Sequence, residues 1–176
     1  MPPQTILLVD GYNVIGNSTH LQNIVVSQDL EAARRELIEL MINYSAFVGY
    51  LTKVVFDAQY QDTAGYCEDQ TKNLAVCYTD FGQTADTYIE KFCADFRRHR
   101  LALQRLIVAT SDRAQQLTVV GYGAEWLSSN QLCNLILDGR SRAHRHHQAD
   151  HRSRSRLIDS LDAKTRQKLA RLRHGL

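Results

Sequence analysis

Four aspartates stand where apolar, strand-length runs of this sequence stop, or at the start of the helix that follows. Residues 6–9 (ILLV) run into Asp10, 54–56 (VVF) into Asp57 and 106–109 (LIVA) reach Asp112, while 74–78 (LAVCY) are followed by Asp86. In an open parallel sheet the residues just past the carboxyl ends of the strands gather in one crevice, where ligands bind. Carboxylates brought together there repel one another unless a cation lies among them. The pattern predicts a hard divalent ion, Mg2+ or Mn2+, and metal-assisted chemistry on phosphate esters.

The neighbours of these acids sharpen the expectation. Gly11 lets the chain turn sharply after Asp10, and Asn13 returns an amide to the same region, so that one group coordinates while the other orients a water or ligand. The same aspartate serves equally well as a turn cap. Asp86 falls in the first turn of a helix capped by Thr84, where the helix dipole favours a carboxylate. Glu90, one turn on, shares that face and either adds a second carboxylate or pairs with a surface cation. Thr110-Ser111-Asp112-Arg113 brings two hydroxyls, a carboxylate and a guanidinium to the sheet edge. Ser111 or Asp112 can instead cap the next helix, and Arg113 either grips a phosphate with two donors or neutralises Asp112. Asp57 is a peripheral ligand or an anchor for the loop after it.

Alternating elements must position these groups. Residues 5–9 form a continuous apolar run, as expected of a strand buried on both faces. Ser27 caps a helix running to about Phe47, with Leu30, Ala33, Leu37, Leu40, Met41 and Tyr44 on its apolar face and Gly49 as its stop. Residues 53–56 and 74–78 are the next strands, and the polar stretch 59–73 between them reads as a mobile loop beside the crevice. A helix capped by Thr84 buries Ala85, Ile89, Phe92, Cys93 and Phe96. Then come a strand at 106–110, a short helix from near Arg113, a turn at Gly121-Tyr122-Gly123, a strand at 124–127 and a helix capped by Ser128-Ser129-Asn130 and ending near Leu137. This order implies an α/β doubly wound sandwich, a mostly parallel central sheet flanked by helices, with right-handed crossovers.

Charge is divided unevenly. Residues 1–139 hold 10 Lys/Arg against 16 Asp/Glu, a net of −6, and residues 140–176 hold 11 Lys/Arg against 3 Asp, a net of +8. An acidic body with a basic tail points to a polyanionic partner. Residues 139–156 are Arg, His and Ser with almost no apolar side chain, a composition that stays unstructured or orders on a partner. Residues 157–173 regain helical character, with Leu161, Leu169 and Leu172 on one side and Lys and Arg around them. His144, His146, His147 and His151 invite a zinc reading, but no rigid apolar frame surrounds them, so a phosphate-contacting segment is the better reading. The 176 residues are enough for one domain with its own core. Cys67, Cys77, Cys93 and Cys133 show no C-x-x-C spacing, and Cys77 and Cys93 read as small core hydrophobes, so no disulfide framework is expected. With no long apolar span and no basic region ahead of the first apolar run, the expectation is a cytoplasmic monomer without a membrane partner.

Val9-Asp10-Gly11-Tyr12-Asn13, Val54-Val55-Phe56-Asp57-Ala58, Thr84-Ala85-Asp86-Thr87-Tyr88-Ile89-Glu90 and Ala109-Thr110-Ser111-Asp112-Arg113, in this order, resemble the NYN domain family, a branch of the PIN-like nucleases, and most closely its YacP-like bacterial members. The resemblance covers residues 5 to about 137, and 161–173 look like that group's basic C-terminal helix. It implies a Rossmann-like PIN/NYN nuclease domain over 1–138 and a basic helix at 157–176, while the Arg/His-rich segment 139–156 between them departs from the group's pattern. It further implies an Mg2+- or Mn2+-dependent endoribonuclease, with mRNA as substrate and the ribosome as associated partner. Asp10, Asp86 and Asp112 map onto the metal-binding positions, with Asn13 as the motif's amide and Asp57 and Glu90 as outlying acids. Thr84, Ser111, Arg113, Arg140, Arg142, Arg145, Arg152, Arg154 and Arg156 are the expected RNA contacts.

The alternative is an RNA-binding module that keeps the fold without turnover. A phosphohydrolase with Asp10 as covalent nucleophile fits less well, because Tyr12 stands where such enzymes resemble Asp-x-Asp. A receiver-type domain wants paired acids that Asp10-Gly11 does not provide.

Overall fold

A computed structural model describes residues 4–58, 64–99 and 104–139. The chain divides into a unit over Met1–Asp138 and a second over Gly139–Leu176, and only the first is described below. The expected segment 139–156, the helix at 157–176 and the arginines at 140, 142, 145, 152, 154 and 156 therefore lie outside the described residues, apart from Gly139.

Six strands form one sheet: β1 (Thr5–Asp10), β2 (Leu51–Phe56), β3 (Tyr66–Thr71), β4 (Leu74–Tyr78), β5 (Arg105–Ala109) and β6 (Glu125–Leu127). Their spatial order is β3-β4-β2-β1-β5-β6. Every neighbouring pair is parallel except β3–β4. Successive side chains of a strand face opposite sides, so β1 sends Leu7 and Val9 to one core and Leu8 to the other. The first face is covered by α1 (Gly11–Asn17), α2 (Thr19–Ser27), α3 (Leu30–Val48) and the helical residues 129–138, through Val14, Leu21, Leu37, Met41 and Leu132. The second is covered by α4 (Ala85–His99) and α5 (Arg113–Gly121), through Ile89, Cys93 and Val119. The strand order reverses at β1, between β2 and β5. A crevice therefore opens where Asp10 leaves β1 and residues 110–112 leave β5.

The helix starts are fixed by side-chain oxygens. The carboxylate of Asp29, not the hydroxyl of Ser27, caps α3 by accepting from Ala32 N–H at 2.6 Å. Ser27 instead ends α2, a helix that the sequence reading did not anticipate. Gly49 stops α3 as expected, with φ +72°. Ser128 and Gln131 form a reciprocal capping box on the last helix: Ser128 Oγ accepts from Gln131 N–H, and Gln131 Oε1 accepts from Ser128 N–H.

Two expectations are corrected. The stretch 59–73 is not wholly loop, because Tyr66–Thr71 is an edge strand antiparallel to β4. A disulfide does occur, joining Cys67 to Cys77, which face each other across β3 and β4. Cys77 is thus bridged, and Cys93 is the buried free thiol. The bridge was hidden because it requires a β3–β4 pairing that the polar sequence of β3 does not announce.

Candidate active site at the carboxyl edge of the sheet

Asp10, at the end of β1, is 8 % exposed, and its Oδ1 accepts from Asn13 N–H at 3.1 Å, capping α1. Burial pushes its carboxyl up to about 6, and the charges of Asp86, Asp57 and Asp112 push in the same direction against the Asn13 hydrogen bond. Gly11 allows the tight exit from β1. A side-chain carbon there would lie 2.3 Å from the ring of Phe56, which is fully buried.

Asp112 caps α5 by accepting from Gln115 N–H at 2.9 Å. Asp86 lies in the first turn of α4, and its Oδ1 accepts from Nε2 of Gln115. Gln115 therefore holds two acids at once, one through its backbone and one through its side chain. It was missed in the sequence, where a glutamine in a short helix carries no signal. Desolvation raises the Asp86 carboxyl, and Asp112 and Asp57 raise it further. Asp57 follows β2 and accepts from Ala85 N–H, the first amide of α4. Thr84 also caps that helix, its Oγ1 accepting from Thr87 N–H at 3.2 Å. The like-charge coupling among Asp10, Asp57, Asp86 and Asp112 shows that the structure brings these four acids into one neighbourhood.

Asn13 is a latch. Its Oδ1 accepts from Ser111 N–H at 2.7 Å and from Ser129 Oγ at 2.8 Å, tying the β1–α1 turn to the β5–α5 turn and to the last helix. Ser111 Oγ in turn accepts from Ser129 N–H at 3.1 Å. Arg113 is exposed and makes no ion pair with Asp112 among the described residues, which leaves its guanidinium available. Glu90 accepts from Tyr122 Oη at 3.3 Å. It lines, with Asp86, Gln115 and Thr118, a hollow of about 140 Å³ between α4 and α5.

The donors are oxygens only, which suits a hard cation. Among the described residues no three His, Cys, Asp or Glu side chains converge closely enough to enclose an ion by themselves. One or two carboxylates plus water is the usual way Mg2+ is held, and a cation would offset both the burial and the neighbouring carboxylate charges that raise Asp10 and Asp86.

Comparison with known proteins bears on the family and the fold. Residues 7–174 match the YacP-like NYN domain family. The chain is 38 % identical over 128 residues to the uncharacterized protein YacP of Bacillus subtilis strain 168, covering 72 % of each chain. The crystal structure of Rae1 (YacP) from Bacillus subtilis superposes with a TM-score of 0.69 at 28 % identity, covering 97 % of this chain and 95 % of that one. The crystal structure of a mutant of the same Bacillus subtilis protein superposes with a TM-score of 0.66 at 33 % identity, covering 80 % and 79 %. The chain belongs to the YacP-like NYN domain family, a family of PIN-like nucleases. Such nucleases generally use divalent metal ions. Among the described residues no helix is long and apolar enough to cross a membrane.

Proposed function

We propose that this protein is a metal-dependent endoribonuclease that hydrolyses phosphodiester bonds of mRNA in association with the ribosome. The observation that carries the reading is the gathering of Asp10, Asp86 and Asp112 from three separate turns, close enough to help raise the carboxyl of buried Asp10 to about 6. These three would hold Mg2+ or Mn2+ partly through water molecules, with Asp57 and Glu90 as outer acids. The bound ion supplies Lewis acidity to a water and to the phosphate oxygens.

The remaining groups position and bind. Gln115 keeps Asp86 and Asp112 in place, and Asn13 fixes the turn that carries Ser111 and Asp112. Arg113 offers a two-donor grip on a phosphate next to the scissile one. Thr84 and Ser111 spend their hydroxyls on internal hydrogen bonds, which makes them supports of the RNA path. His20 bonds Glu36 and His99 bonds the Asp95 carbonyl, so neither serves the carboxylate cluster as a base. Hydrolysis of this kind leaves 5′-phosphate and 3′-hydroxyl ends.

The ribosome enters through the YacP-like resemblance and through the net +8 of residues 140–176, a fit to a polyanion. Arg140, Arg142, Arg145, Arg152, Arg154 and Arg156 are its proposed contacts, and the protein acts in the cytoplasm as a monomer. The test is cleavage of a translated mRNA by wild type, Asp10→Asn and Asp86→Asn, with Mn2+ or EDTA, with and without ribosomes. Cleavage by wild type alone, abolished by EDTA, is the expected result. Equal cleavage by Asp86→Asn refutes the metal site, and RNA binding without cleavage by any form favours the binding module.

A further inference from the structure

Four aromatic rings follow the sheet order β1-β2-β4-β3 along the carboxyl edge, on the side of α3. Tyr12, in the first turn of α1, meets Phe56 edge-on at 5.1 Å. Phe56 stacks on Tyr78 at 5.9 Å and 27°, and Tyr78 lies 5.1 Å from Tyr66 at 32°. The row begins two residues after Asp10 and passes the residue before Asp57. It changes from a fully buried ring at Phe56 to one 54 % exposed at Tyr66. Packing explains Phe56. It does not explain a large ring left open to solvent at the far end, backed by a second ring at stacking distance.

A cation accompanies the row. Arg34 of α3 donates from Nη1 to Tyr12 Oη at 3.3 Å and is braced by Glu31. Its Nε is buried and has no hydrogen-bond partner among the described residues. Aromatic faces beside a guanidinium, next to a cluster that handles a phosphodiester, form the kind of platform on which unpaired bases stack.

We propose that Tyr66, backed by Tyr78, is a stacking subsite for an unpaired base of single-stranded RNA whose backbone crosses the carboxylate cluster, with Arg34 holding the inner end of the row. The proposal rests on the nuclease reading for the identity of the ligand. A duplex keeps its bases stacked on one another and cannot offer one to Tyr66, so the subsite selects single strands.

Tyr66 is a surface residue, and its substitution leaves the core untouched. The full-length Asp86→Asn protein, expected to bind without cutting, is titrated with a single-stranded RNA oligonucleotide and with the matching duplex. The same is done with Tyr66→Ala and Tyr66→Phe added. Tyr66→Ala is expected to weaken the single strand roughly tenfold or more, with Tyr66→Phe within about twofold of the parent and the duplex unaffected by either. Equal affinities for the Ala and Phe forms, an equal loss on the duplex, or no binding of the single strand by the parent overturns the subsite. Cleavage by the otherwise wild-type protein is scored separately on the same RNA. Metal-dependent cleavage with Tyr66-independent binding sinks the subsite alone. Tyr66-dependent binding with no cleavage under any condition sinks the nuclease reading and leaves the subsite standing.

Discussion

Asp10 carries a cost that its neighbours make visible. Its carboxyl ionises near 6 in the fold against an ordinary 3.8, so the unfolded chain releases its proton first as pH rises. Below about pH 4 both states are protonated and the group contributes nothing. Between 4 and 6 stability falls, and above 6 the full penalty, on the order of 3 kcal/mol, is present. Asn keeps the cap and removes the charge. Asp10→Asn is therefore expected to melt several degrees higher than wild type at pH 7.5 without divalent ions, with the gain vanishing at pH 4. A lower melting temperature at pH 7.5 contradicts this account. Gln115 invites a complementary substitution. Its Oε1 is buried without a hydrogen-bond partner among the described residues, so Gln115→Met relieves an unsatisfied group and leaves the melting temperature level or raised. The same change removes the donor to Asp86, and Mn2+ affinity measured by calorimetry should fall about tenfold. Unchanged affinity would show that Asp86 orients itself.

At the scale of elements, β3 is the piece held from outside the core. All its residues are exposed but the last, Thr71, and it is tied to β4 by backbone pairing and by the Cys67–Cys77 bridge beside the Tyr88 hydroxyl. Closing so short a loop contributes about 2–3 kcal/mol in the chain-entropy view. Reduction is expected to lower stability by that amount and to speed amide exchange in β3 first, with β1, β2 and β5 protected until global unfolding. Uniform acceleration across the sheet would argue against a locally clamped edge. The same contrast explains what the sequence disclosed. β1, β2, β4 and β5 are buried on both faces and announce themselves as apolar runs, which also located Asp10, Asp57 and Asp112. β3 reads Tyr-Cys-Glu-Asp-Gln-Thr, with no buried face to leave a pattern, and becomes a strand only by pairing. The helices α1 and α2, of seven and nine residues, follow one another through Ser18 alone and are too short to display a period. Gln115 escaped notice because its task exists only once α4 and α5 lie side by side.

On the whole molecule, charge is the organising variable. An acidic unit that concentrates carboxylates at one sheet edge repels RNA at long range, and the eleven Lys/Arg of residues 140–176 offset that repulsion. Each phosphate neutralised on a single strand adds about 0.7 to the slope of log affinity against log salt. Replacing Arg140, Arg142 and Arg145 together by Gln should flatten that slope by about 2 for single-stranded RNA. An unchanged slope would place the polyanion elsewhere.

The acids at the crevice also begin helices. Asp10 starts α1, Asp112 starts α5, and Asp57 holds the first amide of α4. A lineage that abandoned turnover could not discard them freely, because Ala at a cap forfeits about 1 kcal/mol each time. Asn, Ser and Thr keep the hydrogen bond and drop the charge. Heredity thus has a narrow exit from this chemistry, and a retired descendant would carry its history in those few letters.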